Sequence, residues 1–236
     1  RVILMGDSQE GLDDYINAVF IPSFCKKNQQ ILTQIPLPTT VNDFWRMVTQ
    51  YKVTLVVAFE LDLNRADSSI GNYFPMTESE ELSSGYFKIK SQKTMSHVLW
   101  NQQQLVVSTD TQSSTMSITP GKEYQLTHLT CTRAPKDLKP SDLLSLMTMI
   151  RSSSPIGSGR TVYMCRNGAE YSGLICILSL LLARLDNDHR LTVPLVVGAI
   201  KAIRPQVIPT VHQYKLLYQV LALYHESTNV YSNFGD

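Results

Sequence analysis

The chain has 236 residues, 43% of them hydrophobic and 17% charged, which is ample apolar material for one large core and unlike collagen-like, coiled-coil or disordered composition. Its 21 Lys and Arg nearly balance 20 Asp and Glu, for a net charge of +1, so the whole-protein field that favours nucleic acid or an anionic membrane is missing. The apolar stretch from Leu174 to Leu185 is broken by Arg184 and closed by Asp186, Asp188 and His189, and no run reaches the roughly 18 residues that cross a bilayer. No direct membrane insertion by this segment is expected. Arg1 to Asp7 carries one base and no small-residue cleavage site, and so reads as a domain interior cut open and not as a signal peptide.

In chain order, the first periodic segment is Thr40 to Gln50. Thr39 or Thr40 can cap it, and Val41, Phe44, Trp45 and Val48 fall on one helical face. Thr54 to Phe59, Tyr86 to Lys90, His97 to Trp100, Gln104 to Ser108 and Glu123 to Cys131 follow as β-branched, aromatic or alternating runs and predict strands. Past Pro140 the pattern becomes helical: Ser141 to Arg151, Ser172 to Leu185, Val193 to Ile203 and Thr210 to Tyr224. Ser172 to Leu185 is apolar nearly all round and must lie centrally, and the short β-prone run Thr161 to Met164 precedes it. No repeat or hinge divides the chain, so residues 1–236 predict one α/β domain with a mixed sheet.

Cys25, Cys131, Cys165 and Cys176 are spaced by 106, 34 and 11 positions. That gives no zinc spacing and no disulfide framework, and it suits a reducing compartment. The five histidines never cluster with a carboxylate or cysteine, so no metal and no cofactor is expected. One constellation carries chemical promise: Cys165, Arg166, Asn167, Gly168, Ala169, Glu170 and Tyr171, with Ser172 and Gly173 behind them. A cysteine after a strand, followed by a loop whose N–H groups converge at a helix N-terminus, can hold a phosphate and favour a thiolate. The alternative is a buried cysteine in a strand-to-helix turn, and these residues taken alone leave both open.

Other segments resemble the classical protein tyrosine phosphatases, in particular the second, membrane-distal domain of receptor-type members. Asp14-Tyr15-Ile16-Asn17-Ala18 is similar to the family's DYINA motif, and Thr33-Gln34 with Pro36-Leu37-Pro38 to its TQ-PLP segment. Asp43-Phe44-Trp45-Arg46-Met47 matches DFWRM, Tyr73-Phe74-Pro75 resembles YWP, and Arg204-Pro205 with Gln213-Tyr214 resembles the RP and QY positions. The resemblance implies a single highly twisted mixed β-sheet flanked by α-helices on both sides. It also implies four catalytic parts: a thiolate nucleophile, a loop arginine that clamps the phosphoryl oxygens, an aspartate in a mobile WPD loop, and a glutamine that positions water.

Carried over position by position, the nucleophile is Cys165, but its surroundings depart from the family. The preceding histidine is Met164, the arginine is Tyr171, and Glu170 adds a negative charge where glycine is usual, which repels phosphate and disfavours a thiolate. In the acid loop Pro135 and Pro140 persist, whereas tryptophan becomes Ala134 and the general acid becomes Lys136, a cation at neutral pH. Asp137, one residue along, could present a carboxylate only through a slip in register. The water-positioning glutamine is Pro209, which has no side-chain amide. The family's phosphotyrosine-stacking loop is expected before Arg1.

The resemblance with these replacements predicts a pseudophosphatase domain of a receptor-type phosphatase, a regulatory or protein-interaction scaffold on the cytoplasmic side of the plasma membrane. Its expected partners are proteins, the membrane-proximal phosphatase domain of the same receptor among them, and not nucleic acid. The alternatives are a weak phosphatase acting through Cys165, with Arg166 or Lys136 in place of the arginine, and a redox sensor at Cys165. Transmembrane helix, ectodomain and active companion domain are expected N-terminal to the chain.

Overall fold

The computed structural model describes residues 1–5, 13–23, 30–59, 69–109, 121, 123–133, 137–153, 159–188 and 192–232. Among the described residues eight strands form one sheet: β1 (Ala18–Ile21), β2 (Gln30–Gln34), β3 (Val53–Phe59), β4 (Glu81–Ser84), β5 (Phe87–Ser96), β6 (Trp100–Thr109), β7 (Tyr124–Cys131) and β8 (Arg160–Cys165). Their order across the sheet is β1-β2-β8-β3-β7-β6-β5-β4. The centre, β2-β8-β3-β7, is parallel, and the flanks are antiparallel. Among the described residues there are also five α-helices: α1 (Val41–Gln50), α2 (Pro140–Ser153), α3 (Glu170–Asp188), α4 (Val193–Ile203) and α5 (Val211–Ser232).

Strand alternation divides the apolar side chains between two cores. On β8, Val162 and Met164 join Ile31, Val56 and Ala58 against Phe44, Trp45 and Met47 of α1. Tyr163 and Cys165 point the other way, joining Leu32, Leu55 and Val57 against α2 to α5. The expected arrangement of helices on both faces therefore holds, and Met164 is completely buried on the α1 side. Within α3, Leu174 to Leu178 and Leu180 to Leu182 are buried, as an all-round apolar helix requires.

Helix positions agree with the sequence periodicity to within a few residues at most ends, and α5 runs on to Ser232. Three strands escaped it: β1 is four residues long, β2 is buried at four of its five positions without polar alternation, and β4 is a short polar edge. The expected strand from His97 to Trp100 is corrected. Only Trp100 belongs to a strand, while His97 to Leu99 form the apex of the β5–β6 hairpin, with Val98 78% exposed and His97 N–H donating to Trp100 O at 2.8 Å. β-prone residues at an apex carry the same local signal as a strand; their pairing distinguishes them. Capping of α1 is also corrected. Thr40 caps nothing with its side chain, because its Oγ1 accepts from Leu37 N–H at 2.9 Å in the 3₁₀ turn Pro38–Thr40 that leads into the helix.

His128 on β7 lies wholly inside the sheet, with Nε2 3.1 Å from Tyr73 Oη and its ring 4.4 Å from that of Phe74. Burial holds its pKa down from 6.5 to about 3, so the imidazole is neutral in the native state. An unfolded chain takes up this proton near pH 6.5, and the native chain takes it up near pH 3. The contribution is therefore complete above pH 6.5 and is lost as pH falls toward 3, by about 1.4 kcal/mol per unit. Denaturant titrations across this window are expected to show His128→Gln with a shallower loss of stability than the parent; parallel curves would contradict the burial of a neutral ring.

Candidate functional site

β8 lies between β2 and β3, with Cys165 at its C-terminal end opposite Gln34 and Phe59. Ligand sites of parallel sheets form at this end. The four-residue loop from Arg166 to Ala169 leads from Cys165 into the 19-residue helix α3. A helix N-terminus has N–H groups without intrahelical partners and attracts negative partial charge. Here the loop supplies that partner itself. Asn167 Oδ1 accepts from Ala169 N–H and Glu170 N–H, both at 3.0 Å, and from the Cys165 thiol at 3.2 Å. The pattern is an Asx cap, a side-chain oxygen bonded two and three residues ahead. Ser172 Oγ lies 3.2 Å from Cys165 Sγ, and Cys165 is 2% exposed.

Beneath the loop, Gly168 adopts φ +65°, and a Cβ there would stand 2.4 Å from Gln34 N and 2.9 Å from Arg204 Nη2. Its N–H donates to Cys165 O at 3.0 Å, and the same carbonyl accepts from Ile35 N–H at 3.0 Å. Arg204, at the C-terminus of α4, donates to Asn167 O at 3.1 Å and to Asn17 Oδ1 at 2.7 Å, and Asn17 in turn donates to Gln34 Oε1 at 2.8 Å. Segments far apart in sequence thus fix the backbone of the turn from below.

Among the described residues, the charged groups at the loop are Glu170, Asp137, Arg166 and Arg204. Glu170 begins α3, and its carboxylate accepts from Gln213 Nε2 of α5 at 3.2 Å. Tyr171, half-buried, packs its ring on the α2–α5 core. Its phenol pKa is raised, first by burial and then by Glu170, Cys165 and Asp137, whose charges all act in one direction. Asp137 itself is exposed. The Arg166 guanidinium bonds to Ser69 Oγ at 3.2 Å, and the Arg204 guanidinium reaches the loop from beneath, through the Asn167 carbonyl. Pro209 is exposed just before α5, following Ile208 in a positive-φ conformation that is strained for a β-branched residue. Lys136, with Ala134 and Pro135, lies outside the described residues.

Cys165 to Tyr171 therefore meet at one loop, as the sequence suggested, and Gln213 joins them. Sequence reasoning missed the cap made by Asn167, the support from Arg204 and the Gln213–Glu170 bond. An asparagine two positions past a strand and just before a glycine is a turn signal that could have revealed the first. The other two are contacts between distant elements and leave no local trace.

A family model described as protein-tyrosine phosphatase matches residues 1–223. Receptor-type tyrosine-protein phosphatase zeta of Rattus norvegicus is 29% identical over 224 residues, covering 94% of this chain and 9% of the relative. Receptor-type tyrosine-protein phosphatase alpha of Mus musculus is 28% identical over 239 residues, covering 99% of this chain and 28% of the relative. The chain thus spans less than a third of the length of either. Among solved structures, the catalytic domain of human protein tyrosine phosphatase non-receptor type 18 superposes with a TM-score of 0.81 at 24% identity, over 95% of this chain and 79% of that one, which establishes likeness of fold.

Gly168→Ala tests the loop's construction. The left-handed backbone alone disfavours a side chain by about 1–2 kcal/mol, and the contact with Gln34 N is with backbone that cannot swing aside. Chemical denaturation is expected to show a loss of about 2–4 kcal/mol; a loss below about 1 kcal/mol would contradict this geometry.

Proposed function

Because the chain belongs to the protein-tyrosine phosphatase family, we propose that it is a catalytically inactive member, a pseudophosphatase domain acting as a regulatory or protein-interaction scaffold. The observation that carries the proposal is the bonding of Asn167 Oδ1 to the Cys165 thiol and to the Ala169 and Glu170 N–H groups. Phosphoryl transfer to a cysteine needs a free thiolate beside N–H donors and a guanidinium arranged around a dianion. In this loop a neutral carboxamide oxygen already takes two of those donors and the thiol proton. A phosphate would have to displace it while meeting the Glu170 carboxylate and a phenol at Tyr171, without the fork of an arginine.

The remaining catalytic parts are replaced in the sequence by Lys136 and Pro209. Loss of one transition-state donor or general acid typically lowers rates by about 10²- to 10⁴-fold, and loss of several leaves little acceleration even though such effects do not add. The alternative with Arg166 as phosphate clamp is disfavoured by its bond to Ser69. Redox sensing calls for an accessible thiolate, and Cys165 is 2% exposed with its proton donated to Asn167.

The receptor-type relatives support placing the domain on the cytoplasmic side of a membrane receptor, and this reading makes it the second phosphatase-like domain of that receptor. An active companion domain and adaptor proteins are the partners this reading names.

The purified protein at high concentration is expected to show no phosphotyrosyl-peptide turnover that Cys165→Ser removes. Cys165-dependent hydrolysis would overturn the reading. The variant Asn167→Ala/Glu170→Gly/Tyr171→Arg is expected to gain saturable tungstate binding, seen as protection of Cys165 from alkylation, where the parent shows none. Equal protection in the parent would contradict the role given to Asn167.

A further inference from the structure

Near its C-terminus α4 carries a lysine that bonds to the chain beyond the helix. Lys201 is the one charged residue between Val193 and Ile203, and its ammonium donates to Val207 O at 2.7 Å and to Pro205 O at 3.4 Å. Both acceptors belong to the turn that leads toward α5. Val207 N–H donates to Arg204 O at 3.2 Å and closes this turn, while Arg204 N–H donates back to Ile200 O at 2.8 Å. Ile208 follows at φ +47°, a conformation that a β-branched residue holds only when its surroundings impose it. Carbonyls just past a helix C-terminus are suited to a lysine donor, because the local partial charge is negative. The same turn meets the Cys165 loop at two points. Arg204 bonds to Asn167 O from beneath. Val207, completely buried, lies against Gly173 in the first turn of α3, where a Cβ would stand 2.6 Å from Val207 Cγ1.

We propose that Lys201 is a positioning residue for the Cys165 loop, a charged latch whose hold on Val207 O and Pro205 O fixes the turn that carries Arg204 and Val207 against it. Hydrogen bonds from a charged donor are stronger than those between neutral groups, which sets the ammonium apart from the backbone bonds of the turn. Removing it takes that donor from both carbonyls and lets Ile208 relax toward an unstrained backbone. Arg204 and Val207 then shift with the turn, and the loop loses support beneath Asn167 and behind Gly173. Cys165 is 2% exposed, so a thiol reagent reaches it only in locally opened molecules. The latch therefore controls how often the sulfur is uncovered, from a residue whose own bonds go to positions 205 and 207. It acts on the frame of the loop and does so whether or not Cys165 can turn over phosphate.

Alkylation of the chain by iodoacetamide in native buffer, followed at the Cys165 peptide by mass spectrometry, tests the assignment beside urea denaturation of the same variants. Lys201→Met is expected to speed alkylation of Cys165 by more than about tenfold. That rise should exceed what the variant's loss of global stability accounts for, since a merely structural role acts only through global unfolding. Lys201→Arg, which still has donors for both carbonyls, is expected to restore the parent rate, and Lys215→Met, at an exposed lysine of α5, to leave it unchanged. Lys201→Gln replaces Lys201→Met if that variant does not fold. A Cys165 rate equal to the parent's, a rise matched by the loss of global stability, or Lys201→Arg as fast as Lys201→Met would each overturn the proposal.

Discussion

A carboxamide oxygen bonded to two N–H groups and a thiol determines what the mouth of this sheet can do. Backbone N–H groups at the start of a long helix must find an acceptor, and an anion is the usual external choice. Asn167 supplies the acceptor internally, without charge and at no cost in association entropy. The thiol of Cys165 is drawn into the same arrangement. A conformation that elsewhere makes a receptive cradle is here a closed turn.

The rest of the fold holds that turn in place. Parallel pairing of β8 with β2 and β3 puts Cys165 at the C-terminal end of the sheet, and alternation turns its sulfur toward the α3 side and Met164 toward α1. Gly168 allows the chain to pass over Gln34 with no side chain between them. Arg204 links the carbonyl of Asn167 to Asn17, so the start of the chain, its central loop and its fourth helix share one hydrogen-bonded network. Such a network rigidifies when its members are satisfied. The proposed pseudophosphatase function rests on this loop, a strand-to-helix turn whose N–H groups are bonded to Asn167 Oδ1.

Much of this was legible from residue order, for physical reasons. The long amphipathic and apolar helices announce themselves by periodicity, and β3, β6 and β7 by β-branched runs. β1 and β2 were silent because buried or very short strands lose the alternation that marks a sheet face. His97 to Leu99 misled because hairpin apices and strands share composition. At the site, Cys165, Glu170 and Tyr171 could be placed on one strand-to-helix loop from their nearness in sequence. The acceptor role of Asn167 was not legible, since an asparagine in a turn can face solvent, backbone or ligand; the direction its oxygen takes is decided by the helix behind it. Long-range ties, Arg204 to Asn17 and Gln213 to Glu170, depend on tertiary packing and have no signature in local order.

The most direct measurement of the central claim is an amide-resolved ¹⁵N NMR titration of the chain with inorganic phosphate, read at Ala169 and Glu170. The account predicts that both resonances stay where they are, with the Asn167 side-chain amide unperturbed, because their hydrogens are already bonded to Asn167 Oδ1. Saturable shifts at both backbone amides, accompanied by movement of the Asn167 side-chain signal, would show that an anion displaces the carboxamide and would contradict it.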